Sequence, residues 1–216
     1  MSSQVHSSLE LPRQAVQGVA LGIFFMAFFG AYWGFISAAF LDGAVQVVAF
    51  VLVGLVTLGF LTVVGIILRY ARSLPKAVSP EDRAMGKRIG KTFGMVFGLE
   101  IVLIALASVL LSTFQLDRFI APTIALIVGI HFLPLARLFR VPMYTITGVL
   151  LSVLALVALV ALLRGLPIAG PSPYNWSLFV GGGVTLILWL TALSVIRFGL
   201  RILRDRTDGR ATQMGS

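Results

Sequence analysis

Long apolar runs alternate with short polar breaks along this chain, and the length of the runs decides the fold class. No charged residue occurs between Arg13 and Asp42, nor between Gly43 and Leu68. Either run exceeds the ~20 apolar residues that cross a bilayer as a helix. The pattern recurs to the C-terminal region and predicts an all-α integral membrane bundle of six transmembrane helices, at about 15–40, 44–69, 88–113, 120–139, 143–163 and 176–203. One transmembrane domain, 15–203, is then flanked by a polar tail at 1–14 and a second polar, mobile tail at 204–216.

The polar breaks carry turn chemistry. Asp42-Gly43 predicts a tight turn that folds helices 1 and 2 into a hairpin. The longest polar connection holds Ser73, Pro75, Ser79, Pro80, Glu81 and Asp82 between flanking basic residues. Gln115, Asp117 and Arg118 mark a short turn, Pro122 suits the first turn of helix 4, and Arg137, Arg140 and Pro142 mark the next break. Pro167, Pro171 and Pro173 then form an external loop that ends in interfacial aromatics, Tyr174 and Trp176. Small residues recur at four-residue spacing in Gly18/Gly22, Gly30/Gly34 and Gly90/Gly94/Gly98, and Gly181 to Gly183 are consecutive. Such faces let neighbouring backbones approach. For helix 3, a glycine stripe on one side and Glu100 on another predict a central place in the bundle.

Composition agrees with the pattern: 58% hydrophobic residues, 12% charged and a mean hydropathy of +1.01. The net charge of +9 does not point to nucleic acid, because the basic residues lie between apolar segments. Of the 17 lysines and arginines, all but Arg118 and Arg164 fall on the side of the two termini, which the positive-inside bias makes cytoplasmic. The first apolar run is too long, and its flank too weakly basic, for a cleavable secretory signal. With no cysteine, disulfides, iron–sulfur clusters and thiolate chemistry are excluded.

Two ionisable residues stand in the middle of apolar segments, Glu100 in helix 3 and His131 in helix 4. A charge at the bilayer centre costs roughly 2.5–3.5 kcal/mol, so each faces protein or a cavity. Glu100 lies as far along helix 3 from Lys91 as His131 lies along helix 4 from Arg140. At ~1.5 Å per residue both sit ~13–14 Å above the same rim. Antiparallel neighbours at matched depth predict contact between them. Pro134 predicts a kink in helix 4 and frees the carbonyl of Ile130 beside His131. Tyr32 and Trp33, at similar depth from the opposite face, are candidates to line the same cavity; both also fit a plain role in the bundle core, as does Trp189.

A haem held by two histidines is disfavoured, because the other histidine, His6, lies in the polar tail. No metal site, cofactor, nucleotide fingerprint or hydrolase motif is read from the chain, which argues against an enzyme. The run Gly129-Ile130-His131-Phe132-Leu133-Pro134-Leu135-Ala136, with Phe97-Gly98-x-Glu100 before it and Tyr144-x-x-x-Gly148 after it, resembles a family of small bacterial multi-pass membrane proteins of unassigned function. The resemblance covers about residues 88–150 and implies a bacterial inner-membrane location, with no activity or cofactor attached.

Two functions are compatible with these residues. One is a transporter or channel-like protein that binds a proton, cation or small polar solute at Glu100 and His131. The other is a non-catalytic sensor, accessory subunit or structural partner whose Glu-His pair fixes helix packing. The expected partner is the lipid bilayer, and a homo-oligomer is compatible with the small-residue faces.

Overall fold

A computed structural model describes residues 13–74, 80–139, 141–168 and 175–214. It contains six α-helices: α1 (Arg13–Ala38), α2 (Gly43–Ser73), α3 (Pro80–Thr113), α4 (Ile120–Phe139), α5 (Pro142–Leu163) and α6 (Asn175–Met214). A short 3-10 turn, Asp117–Phe119, leads into α4. Each helix contains a stretch long and apolar enough to cross a membrane, so the protein is a multi-pass membrane bundle in contact with lipid. An even number of spans puts the two ends of the bundle on one side.

Helix boundaries follow local chemistry. The turn between α1 and α2 passes through Gly43 at φ +59°, a left-handed conformation that costs glycine little. α3 begins at Pro80, earlier than the apolar pattern suggests. Proline is preorganised for a first helical turn. At its other end α3 closes with the Leu116 N–H donating to the Leu111 carbonyl at 2.8 Å, while Gln115 takes φ +58°. α5 ends in the same way, with the Leu166 N–H on the Ala161 carbonyl at 2.9 Å and Gly165 at φ +65°. Both are glycine-type helix caps, one of them built without glycine. α6 continues as helix through Met214, across the segment that the sequence suggested as a mobile tail. Residues 1–12 and 169–174, which include the N-terminal tail and most of the proline-rich loop, lie outside the described residues.

Helices α1, α4, α5 and α6 form the interior, whereas α2 packs mainly on α1 and α3 mainly on α4. The first core cluster gathers Ala20, Ile23 and Met26 with Val64, Leu135, Tyr144 and Ala192. The second surrounds Leu151, Ala155, Val180, Val184 and Trp33. Glycine makes the closest approaches possible. A Cβ on Gly129 would stand 2.8 Å from the Ser152 backbone nitrogen, and one on Gly148 would stand 2.7 Å from the Gly129 carbonyl oxygen. The α4 and α5 backbones therefore touch. In α1, Gly22 lies under the Tyr144 hydroxyl, Gly30 under the Trp189 indole and Gly34 against Val53 and Thr185. In α6, Gly181 packs on Ser37 and Trp33, and Gly183 on Leu154.

The stripe on α3 behaves differently. A Cβ at Gly90, Gly94 or Gly98 would meet nothing within 4 Å. Within this chain α3 is peripheral, not central, because its buried face is the one carrying Phe93, Val96, Phe97 and Glu100, and the glycines lie to one side of it.

Candidate functional site

The site forms where α3 crosses α4 at matched depth. Glu100 and His131 meet there: Glu100 Oε2 lies 3.4 Å from His131 Nδ1, with the two side chains 10% and 8% exposed. The equal spacing from Lys91 and Arg140 thus corresponds to a real juxtaposition. The contact is close, yet its alignment is not that of a hydrogen bond, since His131 Nδ1 has no hydrogen-bond partner. The imidazole also meets the backbone carbonyl of Val96, one turn before Glu100.

Aromatic rings flank the imidazole. The Phe97 ring lies edge-on to the imidazole at 6.3 Å between centroids, and Phe132 does the same from α4 at 6.1 Å. Phe97 stacks in turn on Phe93, and these two rings meet Phe25 and Phe29 of α1. Phe97 is one helical turn before Glu100 and so shares its face, a spacing from which this lid is legible. Phe132 follows His131 directly, and helical spacing alone does not bring it to the pair.

The other residues singled out in the sequence stand elsewhere. Tyr32 is 55% exposed and faces away from the bundle, whereas Trp33 is 6% exposed and belongs to the second core cluster. The described contacts bring neither to Glu100 or His131. Pro134 lies inside α4, which runs through it as one helix; Pro134 and Ile130 both occupy the exposed flank of α4. Trp189 rests on Gly30 and Phe60, with its indole nitrogen unpaired. No group of three or more potential metal ligands occurs among the described residues.

A second polar feature was not anticipated from the sequence. The Thr185 hydroxyl lies 3.0 Å from the Gly30 carbonyl, joining α6 to α1. Thr147 and Thr191 hydroxyls lie 2.7 Å apart between α5 and α6. Threonine in a membrane helix bonds its own backbone so readily that its interhelical contacts leave no mark in the sequence.

No protein-family model matches this chain, and no curated protein and no solved structure matches it.

Proposed function

We propose that this protein is a non-catalytic membrane component, an accessory or structural partner, in which Glu100 and His131 clamp the peripheral helix α3 onto the core. The observation that carries this reading is the burial of the pair: both side chains are about nine-tenths covered, and the rings set against the imidazole are phenylalanines. A depression of about 570 Å³ at the C-terminal end of α5, bordered by Val160, Arg164, Leu166 and Trp176, includes neither residue. α3 has few other anchors: besides Phe93 and Phe97, little of its membrane span is buried, and a Cβ on Gly90, Gly94 or Gly98 would meet nothing within 4 Å among the described residues. The location that fits the basic asymmetry is a cytoplasmic or bacterial inner membrane, with both ends of the bundle on the cytoplasmic side.

A double-mutant cycle of Glu100→Gln and His131→Asn, read as unfolding free energy in mixed micelles, tests the clamp. The coupling expected for a polar contact between membrane helices is about 0.6–1.7 kcal/mol. Strict additivity removes the clamp.

The second reading is a proton- or cation-linked transporter or channel-like protein. What favours it is the unpaired His131 Nδ1 facing a carboxyl group on the least buried span of the bundle. Purified protein in dye-loaded liposomes decides between the two. Flux driven by a pH gradient and lost in Glu100→Gln supports transport, whereas impermeable liposomes together with a coupled cycle support the clamp.

A further inference from the structure

Helix α2 packs along α1 and α3 reaches α1 through Phe93 and Phe97 on Phe25 and Phe29, but among the described residues α2 and α3 do not pack against one another along their lengths. The face of α1 between them stays open: Leu21, Phe24, Phe28 and Tyr32 are all more than a third exposed, although α1 is otherwise the most deeply buried span. Ring contacts fix which flank of each neighbour borders this floor. On α3, Phe93 and Phe97 stand at the corner between α1 and α4, and Glu100 turns toward α4. The glycine stripe lies beyond Phe97, on the α1 side. On α2, Phe50 meets Phe35 of α1 while Phe60 meets Trp189 of α6, so the flank carrying Leu58, Leu61 and Gly65 borders the floor. The result is a lengthwise apolar groove, floored by aromatic rings and walled on one side by glycines that leave open space.

The groove has a charged end. At ~100° per residue, Lys87 and Lys91 fall on the same flank of α3 as Gly90, Gly94 and Gly98. Arg69 and Arg72 fall on the flank of α2 that carries Leu61 and Gly65, and Arg13 and Gln17 continue the floor of α1. All these residues belong to the helix ends on the side of the termini. The chain crosses from Leu74 to Pro80 there, which limits the separation of α2 and α3 to ~20 Å. Five cations and an amide thus surround one end of an apolar trough.

We propose that this groove is a binding site for an anionic phospholipid, with an acyl chain laid along Phe24, Phe28 and the α3 glycines and the headgroup phosphate held among Arg69, Arg72, Lys87 and Lys91. Charge complementarity selects this occupant over a zwitterionic lipid. The basic cluster sits at headgroup level where a phosphate arrives, and an apolar helix from a partner protein would leave it unanswered. The glycine wall matters because it presents backbone in place of side chains, so a flexible chain can lie close.

The test uses the full-length protein in detergent, offered equal amounts of dioleoyl phosphatidylglycerol and dioleoyl phosphatidylcholine and read by native mass spectrometry. Wild type should retain phosphatidylglycerol in preference. Arg72→Gln with Lys91→Gln should lower the ratio of retained phosphatidylglycerol to phosphatidylcholine by about fivefold per cation removed. Arg137→Gln with Arg197→Gln removes as much charge from the same side, on α4 and α6, and should leave the ratio within about twofold of wild type. Gly94→Leu with Gly98→Leu keeps the cations but fills the trough, and should reduce retained phosphatidylglycerol. Size exclusion and circular dichroism establish that each variant is folded. Equal retention of both lipids by wild type overturns the proposal, as does an equal loss in the two charge pairs, which would mean general surface attraction. Undiminished retention in the glycine variant removes the groove.

Discussion

Replacing Gly129 with alanine tests whether backbone contact between α4 and α5 holds the helix that carries His131. The added Cβ would stand 2.6 Å from Ser152 Oγ, 2.8 Å from the Ser152 backbone nitrogen and 3.0 Å from the Gly148 carbonyl oxygen. An unstrained contact needs about 3.5 Å, so the methyl group arrives roughly 0.7 Å too close to the backbone nitrogen. The serine hydroxyl can rotate away, but the nitrogen and the carbonyl belong to the α5 backbone and move only with the helix. Overpacking of this kind costs about 1–3 kcal/mol, and alanine returns up to ~1 kcal/mol of helix propensity. The net expectation is a loss of about 1–2 kcal/mol. Gly182→Ala is the matched control, since a Cβ there meets nothing within 4 Å; it should be neutral or stabilising by up to ~1 kcal/mol. Unfolding in mixed detergent micelles, followed by far-ultraviolet circular dichroism, gives both values. If Gly129→Ala proves as stable as Gly182→Ala, the close α4–α5 contact is wrong, and with it the seating of His131.

Two further outcomes follow from the turns and the charge pattern. Gln115 holds φ +58° in a helix cap where α5 uses Gly165, so Gln115→Gly should stabilise the protein by about 1 kcal/mol in the same unfolding assay, and a loss of stability would refute the cap assignment. The cysteine-free chain allows clean topology mapping: Leu166→Cys should react with an impermeant thiol reagent applied to intact cells, and Ser73→Cys should react after permeabilisation alone, the reverse pattern overturning the orientation.

How much of this protein was legible in its sequence depends on whether a property is set by the chain or by its neighbours. Spanning helices are set by the chain. Within a bilayer, backbone groups find partners only inside their own helix or in a closed barrel, so an uninterrupted apolar run declares a helix before any contact is known. For α4 and α5 even the ends were readable, because Pro142 and the charges at Arg137 and Arg164 punctuate them. The Glu100–His131 contact was legible for a related reason: helical rise converts sequence distance into depth, and two costly groups at one depth on antiparallel neighbours have a common solution.

Which face meets which neighbour was decided by the tertiary structure. Gly90, Gly94 and Gly98 have the spacing of a packing stripe, yet a Cβ on any of them would meet nothing within 4 Å among the described residues, while Gly129 and Gly148, lone glycines in their helices, form the tightest backbone contact between α4 and α5. Lipid tails are as apolar as leucine, so no hydrophobic gradient marks the inner face of a membrane helix in its sequence. Tyr32 and Trp33 illustrate this, adjacent in the chain and on opposite sides of the bundle boundary. The same physics explains why the α2–α3 groove leaves no mark in the sequence: it is a gap between helices, and its floor reads like any other run of α1. Its basic mouth was visible as charge, but until the helices were placed, that charge marked only the side of the membrane.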